Sequence, residues 1–381
     1  MQRLEEEIER LKKEHAYRVL RLARGRDFTS NDYLGLSRHP ALREAMVEAL
    51  DDEEIVGAGG SRLLRGNHPL HAKLEARAAA FFANEAALYF SSGFLANLAL
   101  FSTLCARHDA IVFDERIHAS VKEGIHASSA KRYRARHNDL QSFADALQRV
   151  RADGAKDVWI AVESVYSMDG DLAPLRELAG LARQYEAALI VDEAHATGVF
   201  GVGRGLAHGF PRENLICVHT CGKALGVSGA LVCGEAVVID YLINKARPFI
   251  YSTAPPPVLA AALIRALGLI DEEPWRREKL QRLSTFASDR LRRRLGAAVL
   301  SGGSQIVPVI LGDEARALGV AERLQKAGFD VRAIRPPTVP DGTSRLRLSI
   351  NALHEEADIE ALATELESVI AESAVLVSGI P

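Results

Sequence analysis

An α/β fold, with a mostly parallel sheet in a large domain and a smaller α/β domain after it, is what this sequence predicts. Three observations predict it. Short apolar runs alternate with longer stretches of helical character through much of the chain, the pattern of a parallel sheet covered on both faces. Several of these runs end in polar residues, as strands do at the edge where a doubly wound sheet carries its ligand. A second, shorter alternation follows the prolines of YSTAPPP. The boundaries read as an N-terminal helical segment 1–37, a large domain 38–270 and a small C-terminal domain 271–381.

The bulk numbers agree: 381 residues, 48% hydrophobic, 25% charged and a formal net charge of -3 describe an ordinary soluble globular chain. Nothing in that balance suggests a nucleic-acid binder. The uncharged apolar runs are too short to cross a bilayer, and MQRLEEEIERLKKEH is charged where a secretory signal needs an apolar core, so the expectation is a cytoplasmic protein off the membrane. Cys105, Cys217, Cys221 and Cys233 show no paired CxxC spacing and read as buried free thiols, with no metal site.

Leu4, Ile8 and Leu11 share one helical face and Glu9 precedes Lys13 by four residues, so the first fifteen residues form an amphipathic helix with surface ion pairs, its apolar face packed on something else. In PLHAKLEARAAAFFA, Leu70, Leu74, Phe81 and Phe82 recur at helical intervals and Pro69 suits a first turn. The strands are then ALYF, DAIVF, KRYRA, DVWIAV and AALIV, continued by LICVHT and ALVC, with a helix opening near Phe94. The prolines of YSTAPPP stop any regular element, and a long charged helix around EEPWRREKLQRLSTFASDRLRRRLG follows. Its arginines from Arg290 to Arg294 read as a solvated face. IVPVIL, a helix through Gln325, FDVRAI, RLRLSI and a last helix complete the small domain.

Chemistry gathers at the strand ends. AALIV leads into Asp192, Glu193, Ala194 and His195; DVWIAV into Glu163 and SVYSMDG; LICVHT into TCGKALGVSGA with Lys223; ALYF into Ser92, Gly93 and Phe94. A carboxylate, several hydroxyls, a lysine and two histidines, if His219 is counted, thus reach one edge. Gly222 is read as letting the backbone turn before the lysine. SSGF opening a helix offers hydroxyls and unpaired N–H groups to a phosphate, but no GxxxxGK[ST] is present, and GVGRG from Gly201 does not open a strand-to-helix turn as a dinucleotide fingerprint must. A monophosphate anchor, a carboxylate for a ring nitrogen and a lysine for a Schiff base are what pyridoxal 5'-phosphate requires. Lys223 is accordingly read as a nucleophile.

SNDYLGL, GAGGSRLLRGNH, DERIHAS, ESVYSMDGD, VDEAHATGVFG, TCGKALGVSGA and RPFIYSTAPPP resemble, in order and spacing, the α-oxoamine synthases, and the resemblance covers nearly the whole chain. It implies fold type I of the pyridoxal-phosphate enzymes, a homodimer, and decarboxylative condensation of an amino acid with an acyl-CoA. The wording of VDEAHATGVFG, RPFIYSTAPPP and IRPPTVPDGTSRLRL is most similar to members that join L-alanine to a pimeloyl thioester, on CoA or an acyl carrier protein. Sister activities use glycine with acetyl-CoA, glycine with succinyl-CoA or serine with a long acyl chain, and some relatives are non-catalytic partners.

Carried over by resemblance, Lys223 holds the cofactor and removes the Cα proton, Asp192 pairs with the ring nitrogen and His118 lies over the ring. His195 and Ser167 face its phenolic oxygen, while Ser92, Gly93, Phe94 and Thr220 hold the phosphate, with Thr253 reaching the phosphate of the partner subunit. Arg347 takes the amino-acid carboxylate, and Glu163 and Asn31 complete the surroundings. Arg345 is the alternative to Arg347, read as pointing to the opposite face of its strand. Where relatives offer an arginine in the N-terminal helix to the acyl substrate, this chain has Leu11, Lys12, Lys13 and Glu14, leaving Lys12 as a point-charge substitute.

Overall fold

The computed structural model describes residues 1–53, 55–300 and 302–378, so the end of the expected C-terminal domain, 379–381, lies outside the described residues. Its contacts group into two compact units, one of residues 1–31, 167–171 and 278–381, the other of 32–166 and 172–277.

The chain opens with the helix Gln2–Lys13, which buries no residue. Leu4 and Ile8 stay exposed, so the expected packing of this face is absent among the described residues. Its ion pairs are real but differ in register: Glu9 meets Lys12 at 2.6 Å, and Arg10 meets Glu7 at 2.6 Å and Glu14 at 3.2 Å. Residues three and four apart are both neighbours on a helix, so either partner is open to Glu9. A short strand β1 (Arg26–Asp27) follows.

The second unit is built on a seven-stranded sheet of β2 (Ala86–Phe90), β3 (Ala110–Asp114), β4 (Lys131–Ala135), β5 (Val158–Glu163), β6 (Ala188–Asp192), β7 (Leu215–Thr220) and β8 (Ala230–Gly234). Their order is β2-β8-β7-β6-β5-β3-β4. The run from β7 to β4 is parallel, and β8 is antiparallel to both β2 and β7. The link 221–229 between β7 and β8 is shorter than the roughly dozen residues a parallel crossover needs. Both faces are covered. Ile111, Ile190 and Ile216 pack with Ala96, Leu100 and Val121 on one side, while Val112, Leu189 and Val191 pack with Phe143, Leu147 and Leu178 on the other. That double burial explains why the central strands are continuously apolar, and why KRYRA, on the edge strand β4, carries charge.

The sequence reading lacks the helix Pro40–Glu53 and misplaces another helix. The last proline of YSTAPPP starts a helix, Pro257–Glu272, because a missing N–H costs nothing at the first helical position. All four cysteines are buried and free, and desolvation pushes the Cys217 thiol well up.

In the first unit, β9 (Ile306–Gly312), β10 (Phe329–Asp330), β11 (Ala333–Ile334) and β12 (Ser344–Ser349) are accompanied by helices Glu314–Lys326 and Glu356–Ser378. The order β11-β12-β9 is antiparallel throughout. FDVRAI, read as one run, divides into two strands because β10 pairs in parallel with β1 while β11 joins β12. The long charged helix spans Trp275–Leu295, and its Arg290 and Arg294 pair with Glu360 while Arg294 also reaches Glu367. No described helix is long and apolar enough to cross a membrane.

Candidate active site

The register of β5 and β6 sets Glu163 and Asp192 side by side at the carboxyl ends of their strands. Both are buried. Asp192 Oδ1 accepts the Ala194 N–H at 3.0 Å and Oδ2 accepts Asn97 Nδ2 at 2.8 Å. Among the described residues it has no ion-pair partner, so this carboxylate stands in a buried place with only neutral donors. Its sequence neighbour differs. Glu193 accepts Ser164 Oγ at 2.6 Å and the N–H groups of Ala207 at 2.6 Å and Leu206 at 3.0 Å. Desolvation raises the Glu193 pKa against those hydrogen bonds. Its work is to close the loop containing GVGRG onto the end of β6.

Lys223 follows β7 in a tight turn. The left-handed residue that makes the turn is Gly226, with φ +70, where a Cβ would lie 2.4 Å from the Ser37 nitrogen. Gly222, expected to serve this role, has a negative φ and an open Cβ direction, with only the Val227 carbonyl oxygen at 3.8 Å. Lys223 Nζ lies 3.0 Å from His195 Nε2, and His195 Nδ1 lies 2.6 Å from the Tyr33 hydroxyl. His195 is buried and Lys223 half-buried.

Ser92 caps the helix Gly93–Leu104 by accepting the Leu95 N–H at 3.2 Å. A Cβ at Gly93 would lie 2.5 Å from Thr220 Cγ2, so only glycine lets this helix start sit against Thr220. First-turn N–H groups, Phe94's included, have no intrahelical partner and favour an anion. Thr220 Oγ1 reaches the Ala194 carbonyl at 3.5 Å. Lysine amine, cation-seeking carboxylate and anion-seeking helix start thus belong to one strand-end edge.

His118 caps the helix Ala119–Ala127 and its Nδ1 lies 2.8 Å from Ser120 Oγ. Solvent reaches the His118 surface, but the protein packed round the ring lowers its pKa by desolvation, opposed by the Asp192 charge and aided by Lys223 and Lys122. His219, counted above among the edge residues, belongs to the core. It is buried, stacks on Phe82 with centroids 3.6 Å apart, and meets Thr197 Oγ1 at 2.8 Å through Nδ1. Burial pushes its pKa down to about 3. Strand alternation is the reason: Thr220 and His219 are successive residues of β7 and take opposite faces.

Thr253 is exposed and bridges to Ser61 of GAGGSR. In the other unit, Arg347 donates through Nε to the Ser167 carbonyl at 2.5 Å and through Nη1 to Ser349 Oγ at 2.8 Å. Arg345 reaches Asp169 Oδ1 at 2.5 Å and the Met168 carbonyl at 3.3 Å. Both arginines meet the same segment, 167–169, which corrects the opposite-face reading, since residues two apart on a strand share a face. Asn31 is half-buried, and Lys12 is exposed, held by Glu9. Sequence reasoning did not single out Asn97, Ser120 or Tyr33. The available signal was Asn97 itself, a lone polar side chain in the apolar helix GFLANLALF.

The chain matches the model of the family "Aminotransferase class I and II" over residues 25–366. It is 46% identical over 340 residues to an 8-amino-7-oxononanoate synthase from Chromobacterium violaceum, covering 88% of this chain and 86% of that one. A crystal structure of 8-amino-7-oxononanoate synthase from Francisella tularensis is 33% identical with a TM-score of 0.78, covering 92% of this chain and 99% of that one. A serine palmitoyltransferase from S. paucimobilis, with a bound PLP-myriocin aldimine, is 27% identical with a TM-score of 0.89, covering 98% of each chain.

Proposed function

This chain belongs to the class I and II aminotransferase family, and from that premise we propose that it is an 8-amino-7-oxononanoate synthase, condensing L-alanine with a pimeloyl thioester and releasing carbon dioxide. Its cofactor is pyridoxal 5'-phosphate. That group, when bound, supplies an electrophilic carbon for amines and a protonated ring that takes up the electron pair left when a bond at Cα breaks. The donor set fits it: Asp192 is a buried carboxylate with no cation of its own, suited to a ring N–H, and Ser92, Gly93 and Phe94 start a helix pressed against Thr220.

The residues divide the work. Lys223 would hold the cofactor through its amine and act as the base for the Cα proton, and His195, 3.0 Å from it, orients that amine. Asp192 would be the counter-charge to the ring nitrogen. His118 would cover the ring, His195 and Ser167 would bind its phenolic oxygen, and Glu163 and Asn31 are the remaining candidates. Arg347 grips the alanine carboxylate through two parallel bonds. Lys12 is the candidate for the distal pimeloyl carboxylate. The enzyme works as a homodimer in the cytoplasm, Thr253 serving the phosphate of the neighbouring subunit.

The observation that carries this reading is the lysine amine and the buried carboxylate, without an ion-pair partner among the described residues, on one strand-end edge. Purified protein loaded with pyridoxal 5'-phosphate is assayed for carbon dioxide release with alanine, glycine or serine against pimeloyl-CoA, pimeloyl-acyl carrier protein, acetyl-CoA and succinyl-CoA. Fastest turnover of alanine with a pimeloyl donor is expected, together with complementation of a biotin-requiring strain lacking this step. Faster turnover of glycine with a short thioester, and no complementation, would move the chain to a sister activity.

A further inference from the structure

A hydrogen-bonded chain of four buried or capping groups joins the two sides of the candidate site. Asn97 is 2% exposed and Ser120 1% exposed, and neither is accounted for by the roles above. The amide nitrogen of Asn97 spends one N–H on Asp192 Oδ2 at 2.8 Å and the other on Ser120 Oγ at 2.9 Å. Its orientation is forced, because turning the amide over would put its carbonyl oxygen against the carboxylate. With Ser120 Oγ accepting from Asn97, its single O–H is directed to His118 Nδ1 at 2.8 Å, and the Ser120 backbone N–H donates to the same nitrogen at 3.2 Å. A ring nitrogen that accepts twice carries no proton.

We propose that Asn97 and Ser120 are positioning residues that hold His118 as the neutral, Nε2-protonated tautomer and tie that state to the placement of Asp192. This rests on the reading of His118 and Asp192 as cofactor contacts, and it adds what those residues alone do not specify: which nitrogen bears the proton, and what keeps it there. The charged groups facing His118 are Asp192 from β6, Lys223 from the turn after β7 and Lys122 on its own helix. Asp192 favours protonation of the ring. The Ser120 hydroxyl stabilises the neutral form against that pull, since protonation at Nδ1 requires both donors to withdraw. An imidazole kept uncharged can lie on an electron-poor ring without adding a second cation beside it.

The test uses the full chain with ¹⁵N-labelled histidine, first without cofactor and then loaded. In the unmodified protein, the His118 ring is expected to show Nδ1 unprotonated and Nε2 protonated at neutral pH. Ser120→Ala should raise the His118 pKa by about one pH unit and mix the tautomers, while Ser120→Thr, which keeps the hydroxyl, should restore both. In the loaded enzyme, Ser120→Ala should lower kcat about tenfold and shift the acid limb of the pH profile upward, with KM for the amino acid nearly unchanged. Asn97→Leu should do the same and also move the visible absorbance titration of the bound cofactor. Thermal melts check that each variant is folded, and Ser120→Ala adds no bulk. An unchanged tautomer and pKa in Ser120→Ala would overturn the proposal even if the enzyme proves active, whereas failure of the unmodified protein to turn over alanine would overturn the functional reading and leave the measured tautomer standing.

Discussion

The large sheet and the small sheet present polar side chains in different ways. In the seven-stranded sheet the central strands are covered on both faces, so a charged group in mid-strand would be buried without partners, and the chemistry stands at the ends: Asp192 and Glu163 close β6 and β5, and Lys223 follows β7. In the three-stranded antiparallel sheet, Leu346 and Leu348 go wholly to the core while Arg345 and Arg347 occupy the other face in mid-strand. The lesson is that a doubly buried sheet offers function only its edge, whereas a sheet with one committed face offers function the other. Arg345 and Arg347 remain buried because the carbonyls and carboxylate of 167–169 satisfy them.

The largest effect is expected at the end of β7. Lys223→Ala should reduce turnover by about 10⁴-fold or more, as loss of a covalent nucleophile does, and abolish the absorbance band of covalently held cofactor; retention of both would remove Lys223 from its role. Next in size, Asp192→Asn keeps the shape and loses the charge, and a fall of at least ~100-fold in kcat is expected, about 2.7 kcal/mol of barrier. Near-normal kcat would mean that another group holds the ring nitrogen.

The small sheet makes a different demand. Arg347→Lys should raise the alanine KM about tenfold, since a point charge cannot reproduce a two-bond grip. Arg345→Met should instead act on stability, costing about 3 kcal/mol by removing the buried guanidinium that meets Asp169 at 2.5 Å, as read from denaturant unfolding. If Arg345 variants changed KM and Arg347 variants did not, the two assignments would exchange.

The smallest effect is expected at His219, which lies next to the edge but not on it. His219→Phe keeps a ring and should leave kcat unaltered while costing about 1 kcal/mol for the lost His219–Thr197 hydrogen bond, the Thr197 hydroxyl keeping its bond to the Glu193 carbonyl. A pH signature accompanies it. Folded His219 takes a proton only near pH 3, while the unfolded chain does so near 6.5, so its contribution is whole above about pH 6.5 and is lost as pH falls, at up to 1.4 kcal/mol per pH unit. The variant should therefore lose stability less steeply between about pH 6.5 and 5 than the parent does. An equal slope would place the burden on other groups.

Much of the candidate site is legible along the chain because a parallel strand announces its end: an apolar run stops and a polar residue stands next. That rule located Asp192, Glu163, Lys223 and Ser92, and it also misled, since it counted His219, one residue short of the turn, among the edge groups. The prolines of YSTAPPP were read as a stop when the last of them opens Pro257–Glu272, because proline signals a boundary without saying which side is helical. Gly222 was credited with a turn that Gly226 makes, because φ is a property of the folded turn and composition alone does not assign it.

The strands of the large sheet, the covering of both its faces and the residue types delivered to its edge are written in the sequence, because they follow from local periodicity and from the end of each apolar run. Only the tertiary structure decided who meets whom. Asn97 reaches Asp192 across ninety-five positions and Tyr33 reaches His195 across one hundred and sixty-two. Such meetings depend on strand order and on the packing of helices against the sheet, and hydrogen bonds are short and directional, so a shift of an ångström or two in that packing would undo them. Periodicity states which face a residue takes, and the packing of the whole chain supplies its partner.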